Sequence, residues 1–332
     1  MPSRAVIDCG TNTFHLSIAQ SDEALTPVFS QRIPVRVGQG GFRAKSIRVE
    51  RMARALDAIQ TLKETCWNYE VEDIVLVGTS AIRDAQNREE LIEAAKRLTG
   101  LEMRVLSGWE EAYLIQLGVE STCPDQPESP WLTMDIGGGS VELILWSTQT
   151  DFVRSAWSLD LGVSRLADLG SPPDPLMEQG VAKFDAFLEA ALSPIIDSLS
   201  TSRPGRLVGA SGSFETFAEL LGRTFDSSAH ALKLDRVHFH ELARTLLATD
   251  LRGRLGMKGM APDRAPFIPL SVLLVEAVLD RMPSEAELWV SPAALREGVL
   301  RAEMREGGLA TYLQSLPSET GKKEEHGTDS DH

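Results

Sequence analysis

Cysteine is scarce, basic charge is outnumbered and long apolar runs are missing, and each shortage narrows what the 332 residues can do. The three cysteines, Cys9, Cys66 and Cys123, are far apart and odd in number. They fit neither a disulfide framework nor CxxC-type metal ligation, and a reducing cytoplasm is the expected compartment. The chain carries 33 Lys and Arg against 48 Asp and Glu, a formal net charge of −15, so the broad cationic footprint of a DNA binder is absent. Any polyanionic substrate has to be held by local devices. The longest apolar stretch, around residues 267–279, is interrupted by Pro269 and Glu276 and is too short to cross a bilayer, so no membrane partner is expected. The opening "MPSRAVIDCG" runs straight into a strand without the apolar core of a secretory signal, and export is not expected. Neither G-x-x-x-x-G-K-S/T nor G-x-G-x-x-G occurs, which removes the markers of the P-loop and Rossmann readings.

With 42% hydrophobic and 24% charged residues, the composition is that of an ordinary soluble chain long enough for two domains. Its distinguishing feature is repetition. "DCGTNTFHL" at 8–16 returns as "DIGGGSVEL" at 135–143, pairing Asp8 with Asp135, Gly10 with Gly137, Thr13 with Ser140 and Leu16 with Leu143. Apolar "RAVID" followed by alternating "FHLSIAQ" predicts a hairpin over residues 4–20 with its turn at 10–13, and "WLTMD" with "VELILWS" predicts the same around 137–140. Later, "DIVLV" runs into "GTSAIRDAQN" at Gly78 and "RLV" into "GASGSFETFAEL" at Gly209, each a strand, a Gly/Ser turn and a helix start. The interval from acid to second glycine loop is nearly equal in the two halves, so the spacing predicts an internal duplication. Met52, Ala55, Leu56, Ile59, Leu62 and Cys66 recur at three- and four-residue steps, the stripe of a helix packed on a sheet. "CPDQPESP" at 123–130 is the expected boundary between domains 1–124 and 125–296. Residues 317–332 have no apolar periodicity and are expected to be a disordered tail.

A strand that ends in Asp and turns through Gly and small hydroxyl residues presents backbone amides beside a carboxylate. The amides and hydroxyls suit phosphate oxygens, and the acid suits a divalent cation, directly or through water. Two such hairpins face to face would bracket a phosphate chain. The later loops offer helix N-termini to the same anion, at Ser211 and Gly212 in the second half. In the first half Arg83, one turn into the helix, can fork onto phosphate. Taken singly, these features read as an ordinary hairpin, a packing turn and a surface ion pair. Repetition in register carries the inference.

Duplicated Asp-Gly hairpins with two later glycine loops resemble the architecture shared by actin, the sugar kinases and the heat-shock chaperone ATPases, an α/β, RNase H-like fold of two domains with an interdomain cleft. Within that superfamily, "AVIDCGTNTFHL", "VRVGQG", "VGTSAIRDAQN", "VLSGWEEAYLIQLGV", "MDIGGGSVEL", "GASGSFETFAEL" and "ALREGVL" resemble, in order across residues 5 to about 305, the exopolyphosphatase / guanosine pentaphosphate phosphohydrolase family. The resemblance implies hydrolysis of a terminal phosphoanhydride of inorganic polyphosphate or guanosine pentaphosphate, with Mg²⁺ as cofactor. It also implies a first domain completed by the C-terminal helix 297–316. Glu111 matches the base that activates water, and Asp135 and Glu142 match acids associated with metal or water. Thr11, Asn12, Thr13, Arg83, Gly138, Gly139 and Ser140 match phosphate contacts. Thr11-Asn12-Thr13 stands where the family commonly has Ser-Asn-Ser and keeps every hydroxyl, whereas Pro292 and Ala293 depart from the usual acid or aromatic and Gly. Apart from its tail the chain stops near residue 316, short of the C-terminal helical domains of longer members. Short polyphosphate or pentaphosphate guanosine nucleotides are therefore expected ahead of very long polyphosphate, and the oligomeric state, a homodimer included, is left open.

Ser107 and Glu110 have the S-x-x-E spacing of a capping box, which gives Glu110 a structural job. Glu111 lies roughly 100° further round the helix and is free to face a cleft, as the resemblance implies. Two rival readings use the same loops: an ATP-dependent kinase, which would need an acceptor site, and a non-catalytic nucleotide or phosphate sensor. A hydrolase needs only water, a kinase transfers phosphate only to an acceptor, and a sensor binds without turnover.

Overall fold

Each half of the chain builds its sheet around the strand that ends in the repeated acid. The computed structural model describes residues 3–22, 25–123, 129–147, 152–170, 174–176, 178–225 and 230–317. In the first half β1 (Ser3–Cys9), β2 (Thr13–Gln20) and β3 (Pro27–Pro34) form an antiparallel meander, and β4 (Asp73–Gly78) and β5 (Met103–Val105) add in parallel beyond β1, giving the order β3-β2-β1-β4-β5. The second half repeats this plan. β6 (Trp131–Ile136), β7 (Val141–Ser147) and β8 (Phe152–Leu159) make the meander, and β9 (Arg206–Ala210) runs parallel to β6. β10 (Leu232–Leu234) pairs antiparallel at the edge with β11 (Glu287–Val290), which is itself parallel to β9. The result is the duplicated two-sheet α/β fold expected from the repeat.

The hairpins fall where the alternation places them. Strand β1 ends at Cys9 and β2 resumes at Thr13, while β6 ends at Ile136 and β7 resumes at Val141. Cross-strand register sets Asp8 opposite His15 and Asp135 opposite Glu142. The helix Val49–Asn68 buries Ala55, Ala58, Ile59, Leu62 and Cys66 against the first sheet, with Met52 and Leu56 partly covered beside them, as a helix with an apolar stripe must. Of the proposed boundary and tail, residues 124–128 and 318–332 lie outside the described residues. The carbonyl of Pro317, just before the latter, accepts a hydrogen bond from Trp109 Nε1 at 2.9 Å.

Two helices clasp the halves together. Helix Gly108–Glu120 follows β5 in the first half yet lies on β7 and β8, and helix Leu295–Glu303 follows β11 in the second half yet lies on β1. They cross where both have glycine: a Cβ on Gly298 would sit 1.7 Å from the Leu114 carbonyl oxygen, and one on Gly118 2.1 Å from that of Ala294. No side chain fits between backbones this close. Gly298→Ala is therefore expected to destabilise by about 1–3 kcal/mol in thermal or urea melts, the overpacking outweighing the roughly 1 kcal/mol that Ala gains over Gly in a helix. Gly170→Ala, in extended backbone with open space around the new Cβ, should stay within about 0.5 kcal/mol. Equal melts for the two variants would contradict a tight crossing.

Candidate active site

The two Asp-Gly turns meet, and each has its carbonyls drawn away behind it. In the second turn, the Gly137 carbonyl accepts from Val163 N at 3.1 Å, and that of Gly138 from Ser164 N and Arg165 N at 2.8 and 3.0 Å. The Gly139 carbonyl accepts from the buried Arg165 Nε at 2.7 Å. In the first turn, the Asn12 carbonyl accepts from Val35 N and Arg36 N at 2.9 and 2.8 Å, and the Thr11 carbonyl from Gly38 N at 3.3 Å. Among the described residues the amides of Thr11, Asn12, Gly138, Gly139 and Ser140 have no backbone acceptor. With the carbonyl edges taken, the N–H edges are left for the cleft, a concave array of donors that suits an anion.

The turns pack directly on one another. A Cβ on Gly138 would meet Asn12 Nδ2 at 2.9 Å and Thr11 Cβ at 3.0 Å, so the two turns are in close contact. Asn12 exchanges hydrogen bonds with the Ser164 hydroxyl at 2.7 and 3.0 Å, tying the first turn to the second half. Thr11, Asn12, Thr13, Gly138, Gly139, Ser140, Ser211 and Gly212 all line this cleft. Ser211 caps the helix Gly212–Leu220 at φ 73°, ψ 175°, a strained backbone for a residue with a side chain. Strain of this sort costs on the order of 1–3 kcal/mol and gathers at functional sites.

Arg83 is elsewhere. The short helix Ser80–Arg83 aims it away from the cleft lining, and its guanidinium donates to Glu111 Oε2 at 2.6 Å and to the Leu106 carbonyl at 3.1 Å. In this arrangement the expected phosphate contact is instead the partner of the expected base. Its neighbour Asp84 pairs with Arg165 of the other half.

Four carboxylates of the cleft lining lie close enough to feel one another's charge: Asp8, Glu111, Asp135 and Glu142. The capping box that separates the two adjacent acids is formed, with Ser107 Oγ accepting from Glu110 N at 3.1 Å and Ser107 N donating to Glu110 Oε2 at 2.8 Å. Glu110 also pairs with Arg104 and does not line the cleft, whereas Glu111 is buried within it. Burial pushes the Glu111 carboxyl up to about 6, and the charge and hydrogen bond of Arg83 keep it from rising further. Burial likewise raises Asp135 to about 6, against the Ser211 hydroxyl and Arg264, and Asp8 to about 7, against Arg296. Glu142 is raised well above the carboxylate range by burial and by the charges of Glu111 and Asp135, although it accepts from Ser158 Oγ at 2.8 Å.

Asp8 Oδ1 is buried without a hydrogen-bond partner, an oxygen suited to a cation or to one of its waters. Yet no group of three or more His, Cys, Asp or Glu side chains among the described residues is disposed to hold a metal by itself. The donor set fits an ion bound by one or two carboxylates and completed by water and substrate oxygens, as Mg²⁺ prefers.

Several lining residues have no counterpart among those picked out by motif. His15 occupies the register position opposite Asp8 that Glu142 occupies opposite Asp135. Burial holds it neutral, helped by the nearby Arg296, Arg32 and Arg264, and its Nδ1 is 3.3 Å from Arg296 Nη1. Extending the repeat by two residues beyond Thr13 and Ser140 would have found it. Arg296 lies within "ALREGVL" and Glu215 within "GASGSFETFAEL", but Arg32 and Arg264 reach the cleft from unrelated segments, and no local pattern marks them.

The sequence profile of the Ppx/GppA phosphatase family matches residues 17–306. The chain is 28% identical to exopolyphosphatase 1 of Mycobacterium tuberculosis, covering 93% of this chain and 90% of that protein. It is 27% identical to the guanosine-5'-triphosphate,3'-diphosphate pyrophosphatase of Vibrio atlanticus, covering 90% of this chain and 58% of that protein. Among solved structures, an exopolyphosphatase from Cytophaga hutchinsonii superposes with a TM-score of 0.86 at 31% identity, over 92% of this chain and 98% of the other. The Aquifex aeolicus member of the Ppx/GppA family superposes with a TM-score of 0.76 at 26% identity, over 92% and 98%. The chain belongs to the Ppx/GppA phosphatase family, and with relatives named for exopolyphosphatase and guanosine pentaphosphate pyrophosphatase activity it is an enzyme of the phosphoanhydride-hydrolase class.

Proposed function

We propose that the cleft removes the terminal phosphate of inorganic polyphosphate, or of the 5′ chain of guanosine pentaphosphate, by direct attack of a water that Glu111 aims and deprotonates. The observation that carries this reading is the placement of Glu111, a buried carboxylate fixed by Arg83 within the acid cluster of a cleft lined by two turns whose amides have no backbone acceptor. The names of the relatives supply the substrate class.

The turn amides receive phosphate oxygens, and the Thr11, Thr13 and Ser140 hydroxyls add donors. Glu111, ionised above about pH 6, takes the proton of the attacking water. The new P–O bond forms as the bridging P–O bond breaks, and the shortened chain departs with that bond's electron pair. A base of this kind is worth roughly 100- to 10,000-fold in rate. Arg83 acts as a positioning residue, holding Glu111 charged in a site whose burial favours its neutral form. Mg²⁺, when bound by Asp135 and Glu142, would neutralise charge on the phosphate oxygens.

Glu111→Gln is expected to lower kcat by about 100-fold or more with little change in binding or melting, whereas Glu110→Gln should cost at most about 1 kcal/mol of stability and spare turnover. Equal loss of turnover in both would overturn the assignment. Excess chelator should abolish activity and added Mg²⁺ restore it; full turnover in chelator would remove the metal from the scheme.

The acids also make a pH prediction. Activity should fall as pH drops through about 6, where Glu111 takes up a proton, and Arg83→Met should move that acid limb to higher pH. An unmoved limb would leave Arg83 without a positioning role. For stability, Asp8, Glu111 and Asp135 bind protons more tightly folded than unfolded. Their contribution is complete below the unfolded carboxylate values near pH 4 and is lost as pH rises through about 6 to 7. The melting temperature of Asp8→Asn measured without metal should therefore decline less than that of the wild type between about pH 5 and 7.5; parallel curves would contradict this.

A further inference from the structure

Two hydrogen-bonded side-chain pairs stand between the acid cluster of the cleft and a second cavity. Glu111 and Glu142 line the cleft, while their partners Arg83 and Ser158 line the other cavity, a space of about 340 Å³ bounded also by Asp84, Gly108, Trp109 and Asp160. The Arg83–Glu111 contact is 2.6 Å and the Ser158–Glu142 contact 2.8 Å. Ser158 is exposed, so the second cavity reaches solvent, and it closes tightly on the helix start: a Cβ on Gly108 would lie 2.5 Å from Ser158 Cβ.

We propose that this cavity is the exit for inorganic phosphate and that Arg83 is its gate. The inference rests on the hydrolytic reading above. Attack on the terminal phosphorus leaves the new phosphate beside Glu111, with the shortened chain between it and the cleft mouth. Leaving by the mouth requires the chain to leave first; leaving past Arg83 does not. The charge changes of the reaction favour the second route. Once Glu111 has accepted the proton of the water it no longer attracts Arg83, and a phosphate anion has appeared within reach of the same guanidinium. An arginine fork accepts phosphate oxygens as readily as carboxylate oxygens, and its long side chain can swing. The cavity beyond is close to charge-balanced, because its Asp84 and Asp160 are matched by Arg83 on its wall and by Arg165, which pairs with both acids. It therefore offers passage without a trap.

The first test uses the unaltered enzyme, with short-chain inorganic polyphosphate as substrate and phosphate as product inhibitor. Release of phosphate while the chain stays bound predicts that phosphate lowers kcat and leaves KM nearly unchanged; inhibition purely competitive with the chain would overturn the proposal. The second compares Ser158→Phe, which plugs the cavity, with Ser158→Ala, which loses the same bond to Glu142 without adding bulk. Single-turnover cleavage should agree within about twofold, while steady-state turnover of Ser158→Phe is at least about tenfold slower and preceded by a stoichiometric burst of enzyme-bound phosphate. Equal steady-state rates without a burst would sink the exit route, and the inhibition pattern decides alone if Ser158→Phe does not fold. Failure of the hydrolytic reading is separate and shows as an undiminished single-turnover rate in Glu111→Gln.

Discussion

Gly118 and Gly298 let two helices touch backbone to backbone, and the acid cluster of the cleft is built on that contact. Each helix grows out of one half and lies on the sheet of the other. The first delivers Glu111 between Arg83 of its own half and Glu142 of the second. The other delivers Arg296 to Asp8 and His15. A side chain at either glycine would push the helices apart, and with them the carboxylate and the guanidinium that they carry. The crossing is thus a packing constraint with an electrostatic result, since it holds four acids where water cannot fully solvate them.

The cleft lining combines two opposed features. Both turns give up carbonyl oxygens to donors of neighbouring segments, which leaves their amides free, while four acids beside them are raised above the ordinary carboxylate range by burial. An anionic chain fits the free amides and would be repelled by the acids when ionised. A cation, a proton or a guanidinium has to mediate there. Arg83 and Arg296 do so within the chain itself, and the unpartnered Asp8 Oδ1 marks where the compensation is incomplete. Uncompensated buried acids and the strained Ser211 backbone cost stability that an ordinary core would not spend, the usual signature of a site kept for chemistry.

The repeat and the periodicities were enough to determine the hairpins, the duplicated α/β plan and the capping role of Glu110, while the family resemblance implied the shared cleft. The first three depend on residues a few positions apart, where alternation, glycine content and the S-x-x-E spacing act directly on the local backbone. The same spacing freed Glu111 from the cap, and the family resemblance implied that it faces the cleft. Arg83 shows where such reasoning stops. Its helix position was legible, but its partner was decided by a helix that begins after β5, and the guanidinium turned to Glu111 rather than to the cleft. Arg32, Arg264 and the side-chain environment of His15 come from segments far apart in the chain. Tertiary structure alone decided their meeting, because burial and charge proximity are properties of packed neighbours and leave no periodic trace in the sequence.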